Sequence, residues 1–106
     1  MSNQDRVIGL LGLSRKAGKT ASGDFQVTEA LQAHKAQVIL ISADASDNTR
    51  KRFHDKGAFY HVDVFDLPYT KAQLGRAMGQ EERSVAAVLD EGLAGLIRSA
   101  LAQANS

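Results

Sequence analysis

The fold of this chain is decided by the stretch Val38-Ile39-Leu40-Ile41-Ser42-Ala43-Asp44-Ala45-Ser46. Its first four residues are aliphatic and three of them are β-branched, which is typical of a strand buried on both faces of a sheet. The small and polar residues that follow turn the chain, and Ser46 can cap a helix that begins at residue 47. A doubly buried strand followed by a helix predicts an α/β protein with helices on both sides of its sheet.

Helical and extended patterns alternate on both sides of this stretch. Apolar periodicity, capping residues and glycine stops predict five helices, over residues 4–17, 24–34, 47–56 and 70–77 and from Asp90 onward. The fourth of them begins with the capping-box spacing of Thr70 and Gln73. Runs of β-branched and apolar residues predict four strands, at Thr20–Ser22, Val38–Ile41, Tyr60–Phe65 and Val85–Leu89. We expect the third helix to end at Gly57, because glycine is common just past a helix end. The predicted architecture is a three-layer α/β/α sandwich whose central mixed sheet has about four strands.

The composition fits one globular domain that spans residues 1–106. The chain is 43% hydrophobic and 24% charged, and it shows no internal repeat, linker or low-complexity segment. Its longest apolar runs are far shorter than the roughly 20 residues that a membrane span needs, and its start does not resemble a secretory signal. We therefore expect a cytoplasmic, monomeric protein that does not associate with membranes.

The residues that carry most enzyme chemistry are absent or scattered. The chain has no cysteine, which excludes disulfides and thiolate nucleophiles, and its three histidines fall on different predicted elements. The segment 12–20 resembles a phosphate-binding loop, but five residues instead of four separate its first glycine from the Gly18-Lys19 pair. Acidic pairs such as Asp44 with Asp47 fall at predicted helix starts, where capping explains them. We expect no catalysis, no cofactor and no bound metal.

Two glycines, Gly9 and Gly12, lie inside the first predicted helix. Glycine in a helix interior costs about 1 kcal/mol relative to alanine, so a compensating close contact is expected. We expect a neighbouring helix or strand to pack closely against this face of the helix.

Positive charge is concentrated in the first half of the chain. Residues 1–56 carry nine lysines and arginines against six acidic residues, and residues 57–106 carry four against six. At the join between the first two predicted helices, Lys16 and Lys19 can meet phosphates, and Gly23 lets the backbone come close to a ligand. The side chains of Asp24 and Gln26 can read base edges there. This join is the candidate site for an anionic partner.

Four segments carry motifs that occur together in one known family. They are Gly9–Lys19, Ser22-Gly23 leading to Ala30, Val38–Ser46 with its Ala-x-Asp turn, and Tyr69–Gly79 with its Leu-Gly-x-Ala-x-Gly helix. In this order and spacing they resemble the kink-turn RNA-binding superfamily of ribosomal proteins, and within it the small bacterial YlxQ-like ribosome-associated proteins. The resemblance covers nearly the whole chain. It implies a non-catalytic domain that grips sharply bent internal loops of structured RNA, ribosomal RNA in particular.

The resemblance also implies that RNA contacts the start of the second helix and the loop before the last strand. With the two lysines of the join, the candidate contact residues are Lys16, Lys19, Ser22, Gly23, Asp24, Phe25, Gln26, Arg83 and Ser84. The family carries a Gly-x-Asn-Glu-x-x-Lys pattern at this helix start. This chain keeps the glycine but has Phe25, Gln26 and Glu29 at the other three positions. Phe25 either stacks on an unpaired base or packs beneath the loop, and Glu29 replaces an attraction to RNA by a repulsion.

Two functions stay open at this point. The first is a ribosome-associated RNA-binding protein that recognises bent or kink-turn-like RNA. The second is a protein-interaction module on the same fold, which docks a ribosomal or RNA-processing protein without kink-turn recognition. A steep loss of binding with salt supports the first, and a partner retained after nuclease treatment supports the second.

Overall fold

The computed structural model describes residues 3–104, which form five helices and four strands in the predicted alternating order. The helices are α1 (Asn3–Lys16), α2 (Asp24–Gln32), α3 (Asp47–Tyr60), α4 (Lys71–Ala77) and α5 (Glu91–Ala104). The strands are β1 (Thr20–Ser22), β2 (Val38–Ile41), β3 (Asp63–Asp66) and β4 (Val85–Val88). None of the helices within residues 3–104 has the length and apolar character that crossing a membrane would require.

The strands form one mixed sheet in the order β1-β4-β2-β3, which confirms the predicted sheet. β2 and β3 run parallel, whereas β4 runs antiparallel to both of its neighbours. Ser22 at the end of β1 pairs with Ala86, and Ile41 at the end of β2 pairs with Val85. The last residues of β1 and β2 therefore meet the first residues of β4 at one end of the sheet.

The alternation of side chains in β2 builds two separate cores. Val38 and Leu40 pack with apolar residues of α1, α4 and α5 on one face of the sheet. Ile39 and Ile41 pack with apolar residues of α2 and α3 on the other face. All four β2 side chains are fully buried, as the aliphatic run predicts. The result is the predicted three-layer α/β/α sandwich.

The third helix does not end at Gly57, contrary to the prediction. It continues to Tyr60, and its end is marked by His61, which has left-handed backbone angles of φ 59° and ψ 44°. Gly57 is buried inside the helix, where a Cβ atom would lie 2.3 Å from Cγ2 of Val64. The glycine therefore lets α3 approach β3 closely instead of stopping the helix. Because α3 continues to Tyr60, β3 begins three residues later than predicted.

The expected close contact at Gly9 and Gly12 is also wrong. A Cβ atom built on either glycine would meet nothing within 4 Å. The contact of α1 with the rest of its core is made by Val7 and Leu11, which are fully buried on another side of the helix. The two glycines therefore face open space, and no packing within residues 3–104 offsets their helix cost.

Candidate nucleic-acid interface

The start of α2 and the α4–β4 loop (residues 78–84) meet at the end of the sheet. The backbone N–H of Gly23 donates to the carbonyl of Val85 at 2.9 Å, which extends the β1–β4 pairing by one residue. The N–H of Ser42 donates to the carbonyl of Ser84, also at 2.9 Å. A Cβ atom on Gly23 would lie 3.8 Å from Nε of Arg83. The arginine of the loop thus lies against the glycine of the helix start.

Gly23 has the backbone conformation that this junction needs. Its φ of 88° and ψ of 160° lie in a region that side chains other than hydrogen rarely allow. Gly23 is the N-cap of α2 and makes no side-chain cap to the helix. Its lack of a side chain leaves room beside the N–H groups of the first turn of α2, and such groups bind anions.

The side chain of Gln26 folds back towards β1. Its Oε1 accepts a hydrogen bond from the backbone N–H of Ser22 at 3.2 Å. This contact uses the carboxamide oxygen of Gln26, so the N–H2 group is the part that can donate to a ligand.

Phe25 is 77% exposed and therefore does not pack beneath the loop. It borders a groove between α2 and the outer edge of β1, to which Gln26, Glu29 and Lys35 also contribute. The structure therefore excludes packing beneath the loop and leaves an exposed ring on which a base could stack.

Asp24 forms an ion pair with Arg52 of α3. Both side chains are about half exposed, and the pair joins the first turn of α2 to the middle of α3. Arg52 is not among the predicted site residues, because it lies 28 positions from Asp24 in sequence. Its only signal in the sequence is its membership of the basic run Arg50–Arg52.

The Arg83 region is held by a chain of backbone contacts. The N–H of Arg83 donates to the carbonyl of Lys71 at 2.9 Å, and the N–H of Lys71 donates to Oδ1 of Asp44 at 2.7 Å. The hydrogen bond from Lys71 lowers the pKa of the Asp44 carboxyl below its ordinary value of 3.8. Asp44 thus accepts a free N–H of a helix start, as predicted, but this helix is α4, whose N-cap is Thr70, and not the helix that follows Asp44 in sequence.

The guanidinium of Arg83 is oriented by its own loop. It donates to the carbonyl of Glu82 at 2.9 Å and to Oε1 of Gln80 at 3.2 Å. The loop folds back against α4 at Gly75, where a Cβ atom would come within 1.6 Å of the Glu81 carbonyl oxygen. Only glycine permits this approach, so Gly75 helps to place Arg83 beside Gly23.

Lys19 lies at the other end of β1 from Gly23, and Lys16 ends α1 just before it. The carbonyl of Lys19 accepts from the N–H of Leu89, beyond the last residue of β4. Four residues of extended chain separate the Cα atoms of Lys19 and Gly23 by about 13 Å. The structure therefore brings together Ser22, Gly23, Asp24, Gln26, Arg83 and Ser84, with Phe25 at their margin, and it leaves the two exposed lysines outside this cluster.

No group of three or more His, Cys, Asp or Glu side chains within the described part of the chain is arranged to hold a metal ion. What the cluster offers is a set of hydrogen-bond donors, one oriented guanidinium and an exposed aromatic ring. These groups are suited to binding a ligand, and nucleotides are a class of ligand that such groups recognise.

Most of the chain matches one known protein family. Residues 5–97 match the family described as Ribosomal protein L7Ae/L30e/S12e/Gadd45 family. The chain belongs to this family. The match takes in the whole interface, from α1 to α5, and it confirms the resemblance that the motifs indicate.

Two relatives of the family are similar along most of their length. One, named RNA-binding protein YlxQ from Bacillus subtilis, is 40% identical over 96 residues, which cover 87% of this chain and 91% of the relative. Another, with the same name from Enterococcus faecium, is 32% identical over 92 residues, which cover 87% of each chain. The resemblance to YlxQ-like proteins is thereby confirmed.

Two solved structures share the fold. A protein with unknown function from Bacillus halodurans C superposes with a TM-score of 0.79 at 33% identity, covering 94% of this chain and 97% of its own. The Giardia lamblia 15.5kD RNA binding protein superposes with a TM-score of 0.75 at 17% identity, covering 99% and 90%. At that identity the second likeness is one of fold alone.

Proposed function

We propose that this chain is a non-catalytic RNA-binding protein that recognises sharply bent, kink-turn-like RNA, in the ribosome or associated with it. The surface we assign is the start of α2 together with the α4–β4 loop. RNA as the ligand is supported by the membership of the family and by the two relatives, each of which is named an RNA-binding protein.

The observation that carries the proposal is the contact between Gly23 and Arg83. Three features meet at this contact. They are the start of α2, which has no side-chain cap, the backbone of Gly23, which carries no side chain, and the guanidinium of Arg83, which its own loop orients. Backbone N–H groups and arginine are the groups that proteins most often use on phosphates. A regular RNA duplex hides its base edges in a narrow groove, whereas a sharp bend exposes them to a compact feature of this kind.

Four further side chains take specific roles in this proposal. The N–H2 group of Gln26 donates to a base edge, because its carboxamide oxygen is already occupied by Ser22. Phe25 stacks on an unpaired base. Lys16 and Lys19 lie outside the cluster and contact phosphates farther along the RNA.

A second candidate function is favoured by Glu29, an exposed acid of α2 where the family pattern has a lysine. In this alternative the same surface docks a ribosomal or RNA-processing protein and does not recognise kink-turns. Glu81 is also exposed on the α4–β4 loop and adds to the negative charge there, whereas the exposed Glu82 pairs with Lys71 at 3.7 Å.

The test compares binding of the purified protein to a kink-turn RNA and to a straight duplex of equal length, at two salt concentrations. We expect the kink-turn to bind at least about tenfold more tightly, with affinity falling as salt rises. Gly23→Glu places a negative side chain beside Arg83 and should abolish the preference. Arg83→Gln keeps the backbone of α2 intact and should weaken binding of the kink-turn without unfolding the protein.

Gly95→Glu controls for the added negative charge, because Gly95 lies on α5 with nothing within 4 Å of a Cβ atom. It does not reproduce the positive φ of Gly23, so Arg83→Gln, which adds no side chain there, separates loss of the RNA contact from backbone strain. Equal and weak binding of both RNAs by the wild type would reject kink-turn recognition. Capture of a ribosomal protein that survives nuclease treatment and is lost in Gly23→Glu would then support the docking function.

A further inference from the structure

A groove runs between α1 and α4, outside the interface described above. It encloses about 510 Å³. One wall is the side of α1 that carries Gly12, and the other is α4 with the segment that precedes it. The residues that line it are Asp5, Ile8, Gly12, Arg15, Pro68, Tyr69, Gln73, Arg76 and Ala77.

Two arginines give the groove its charge. Arg15 and Arg76 are exposed, and neither has an ion-pair partner within residues 3–104. The guanidinium of Arg15 lies close to Gly79, where a Cβ atom would lie 2.8 Å from its Nη1. The acid in the groove, Asp5, lies close enough to the buried Tyr69 for its charge to add to the effect of burial in raising the pKa of the phenol. With two arginines against one acid among its lining residues, the groove carries a net positive charge.

Gly12 keeps the groove open. Its place in the middle of a helix is unfavourable compared with alanine, and no contact within the described chain explains it. A ligand that lies along α1 at this point would pass close to the helix backbone. The missing side chain is then explained by the groove and not by packing inside the protein.

We propose that this groove binds the phosphate backbone of the RNA helix that flanks the bend. The proposal rests on the proposed function and extends it. Charge complementarity supports it, because two guanidiniums without an ion-pair partner within residues 3–104 suit phosphate oxygens. Continuity supports it too, because the α4–β4 loop borders both surfaces. Arg15 lies against Gly79 at the start of this loop, and Arg83 lies near its end against Gly23.

An acidic protein segment is the occupant that these observations disfavour. Protein interfaces are anchored by large aromatic or aliphatic side chains that fill pockets. The apolar groups of the groove are small or already packed: Ile8 and Ala77 are half-buried, Tyr69 is buried, and the exposed Pro68 offers a single small ring. The groove offers charge and room, but no deep apolar pocket for such an anchor.

The test uses one bent RNA in two forms, with flanking arms of a full helical turn and with arms trimmed to a few base pairs. We expect Arg15→Gln combined with Arg76→Gln to bind the long form about tenfold more weakly and to reduce the salt slope by about one to two. Binding of the trimmed form should stay unchanged. The control is Arg6→Gln combined with Lys56→Gln, which removes two charges that do not line the groove.

Gly12→Glu gives a second test that does not depend on the arginines. The glutamate has open space and keeps the helix, but it places a negative charge in the groove. It should weaken binding of the long RNA, whereas Gly9→Glu, on the same helix and outside the groove, should not. Circular dichroism confirms that both variants remain folded.

The outcomes separate this proposal from the proposed function. If the wild type prefers the bent RNA but the groove variants bind both forms normally, the groove proposal is overturned and the function stands. If the groove variants bind RNA normally and lose a protein partner, the occupant is a protein and the groove proposal is again overturned. If the wild type does not prefer bent RNA in either form, the proposed function fails, and the groove proposal fails with it.

Discussion

The backbone N–H of Lys71 donates to Oδ1 of Asp44 at 2.7 Å, which joins the turn after β2 to the first residue of α4. The carbonyl of Lys71 in turn accepts from the N–H of Arg83. The exposed carboxylate of Asp44 thus anchors the start of α4, and the backbone of Arg83 is hydrogen-bonded to that same position. The contact connects residues 27 positions apart in sequence.

The first prediction concerns the pH dependence of this contact. The pKa of Asp44 is lowered in the folded protein, so the ionised carboxylate stabilises the fold. This stabilisation is present at pH values above the unfolded pKa of 3.8, and it is lost as the pH falls through the lower pKa of the folded protein. In thermal unfolding, Asp44→Asn should melt below the wild type at neutral pH, and the gap should close below pH 3.8. Asp55→Asn controls for the loss of one negative charge. A gap that persists unchanged into strong acid contradicts the role given to the Asp44 carboxylate.

The second prediction concerns Gly75. An alanine there would place its Cβ atom within 1.6 Å of the Glu81 carbonyl oxygen, so either α4 or the α4–β4 loop must move. We expect Gly75→Ala to destabilise the protein by about 2 kcal/mol or more and to weaken RNA binding, because Arg83 is displaced. Urea unfolding and binding of the kink-turn RNA measure the two effects.

Gly95→Ala is the matched control for this substitution. It also adds one methyl group to a helix, but with nothing within 4 Å. It should stabilise the protein by about 0.5–1 kcal/mol, because alanine favours the helix over glycine. Equal effects of the two alanines would contradict the close approach of the loop.

The fold could be predicted because its signals are local. The aliphatic run Val38–Ile41, the cap at Ser46 and the capping box at Thr70 each determine one element, and all three appear as expected. Gly57 misled the prediction because a glycine that ends a helix and one that packs against a strand look the same in sequence. Only the neighbouring Val64, placed by the sheet, separates the two.

The candidate site was predictable in part. The motif resemblance placed Gly23 and Arg83 on one surface, and the sheet register brings them into contact. Lys19 is near Gly23 in sequence but at the other end of an extended strand, so sequence distance was a poor guide there. Arg52 was missed for the opposite reason, since its contact with Asp24 depends on how α2 and α3 pack side by side.

The third prediction concerns the ion pair of Asp24 and Arg52. Both side chains are about half exposed, so the pair should contribute no more than about 1 kcal/mol to stability. We expect Arg52→Gln to melt close to the wild type but to bind the kink-turn RNA more weakly and with a smaller salt slope, because Asp24 is left uncompensated beside the α2 start. Asp24→Asn should have the opposite effect on affinity.

The double variant Asp24→Asn with Arg52→Gln separates the two possible roles of the arginine. If Arg52 acts only by neutralising Asp24, the double variant should bind as the wild type does. If Arg52 also contacts RNA, the double variant should bind more weakly than the wild type. No change of affinity in either single variant would contradict a place for this pair in the interface.

The last prediction concerns Phe25, whose ring is 77% exposed at the start of α2. Because so little of the ring is buried, Phe25→Ala should change the free energy of unfolding by less than about 0.5 kcal/mol. If the ring stacks on an unpaired base, the same substitution should cost about 1–3 kcal/mol of RNA binding, and Phe25→Trp should retain the affinity. Phe25→Leu keeps an apolar side chain of similar reach without an aromatic face, so it should bind like the alanine variant. Full affinity in Phe25→Leu would mean that the position contributes apolar contact and not stacking, and full affinity in Phe25→Ala would place the base-binding surface elsewhere.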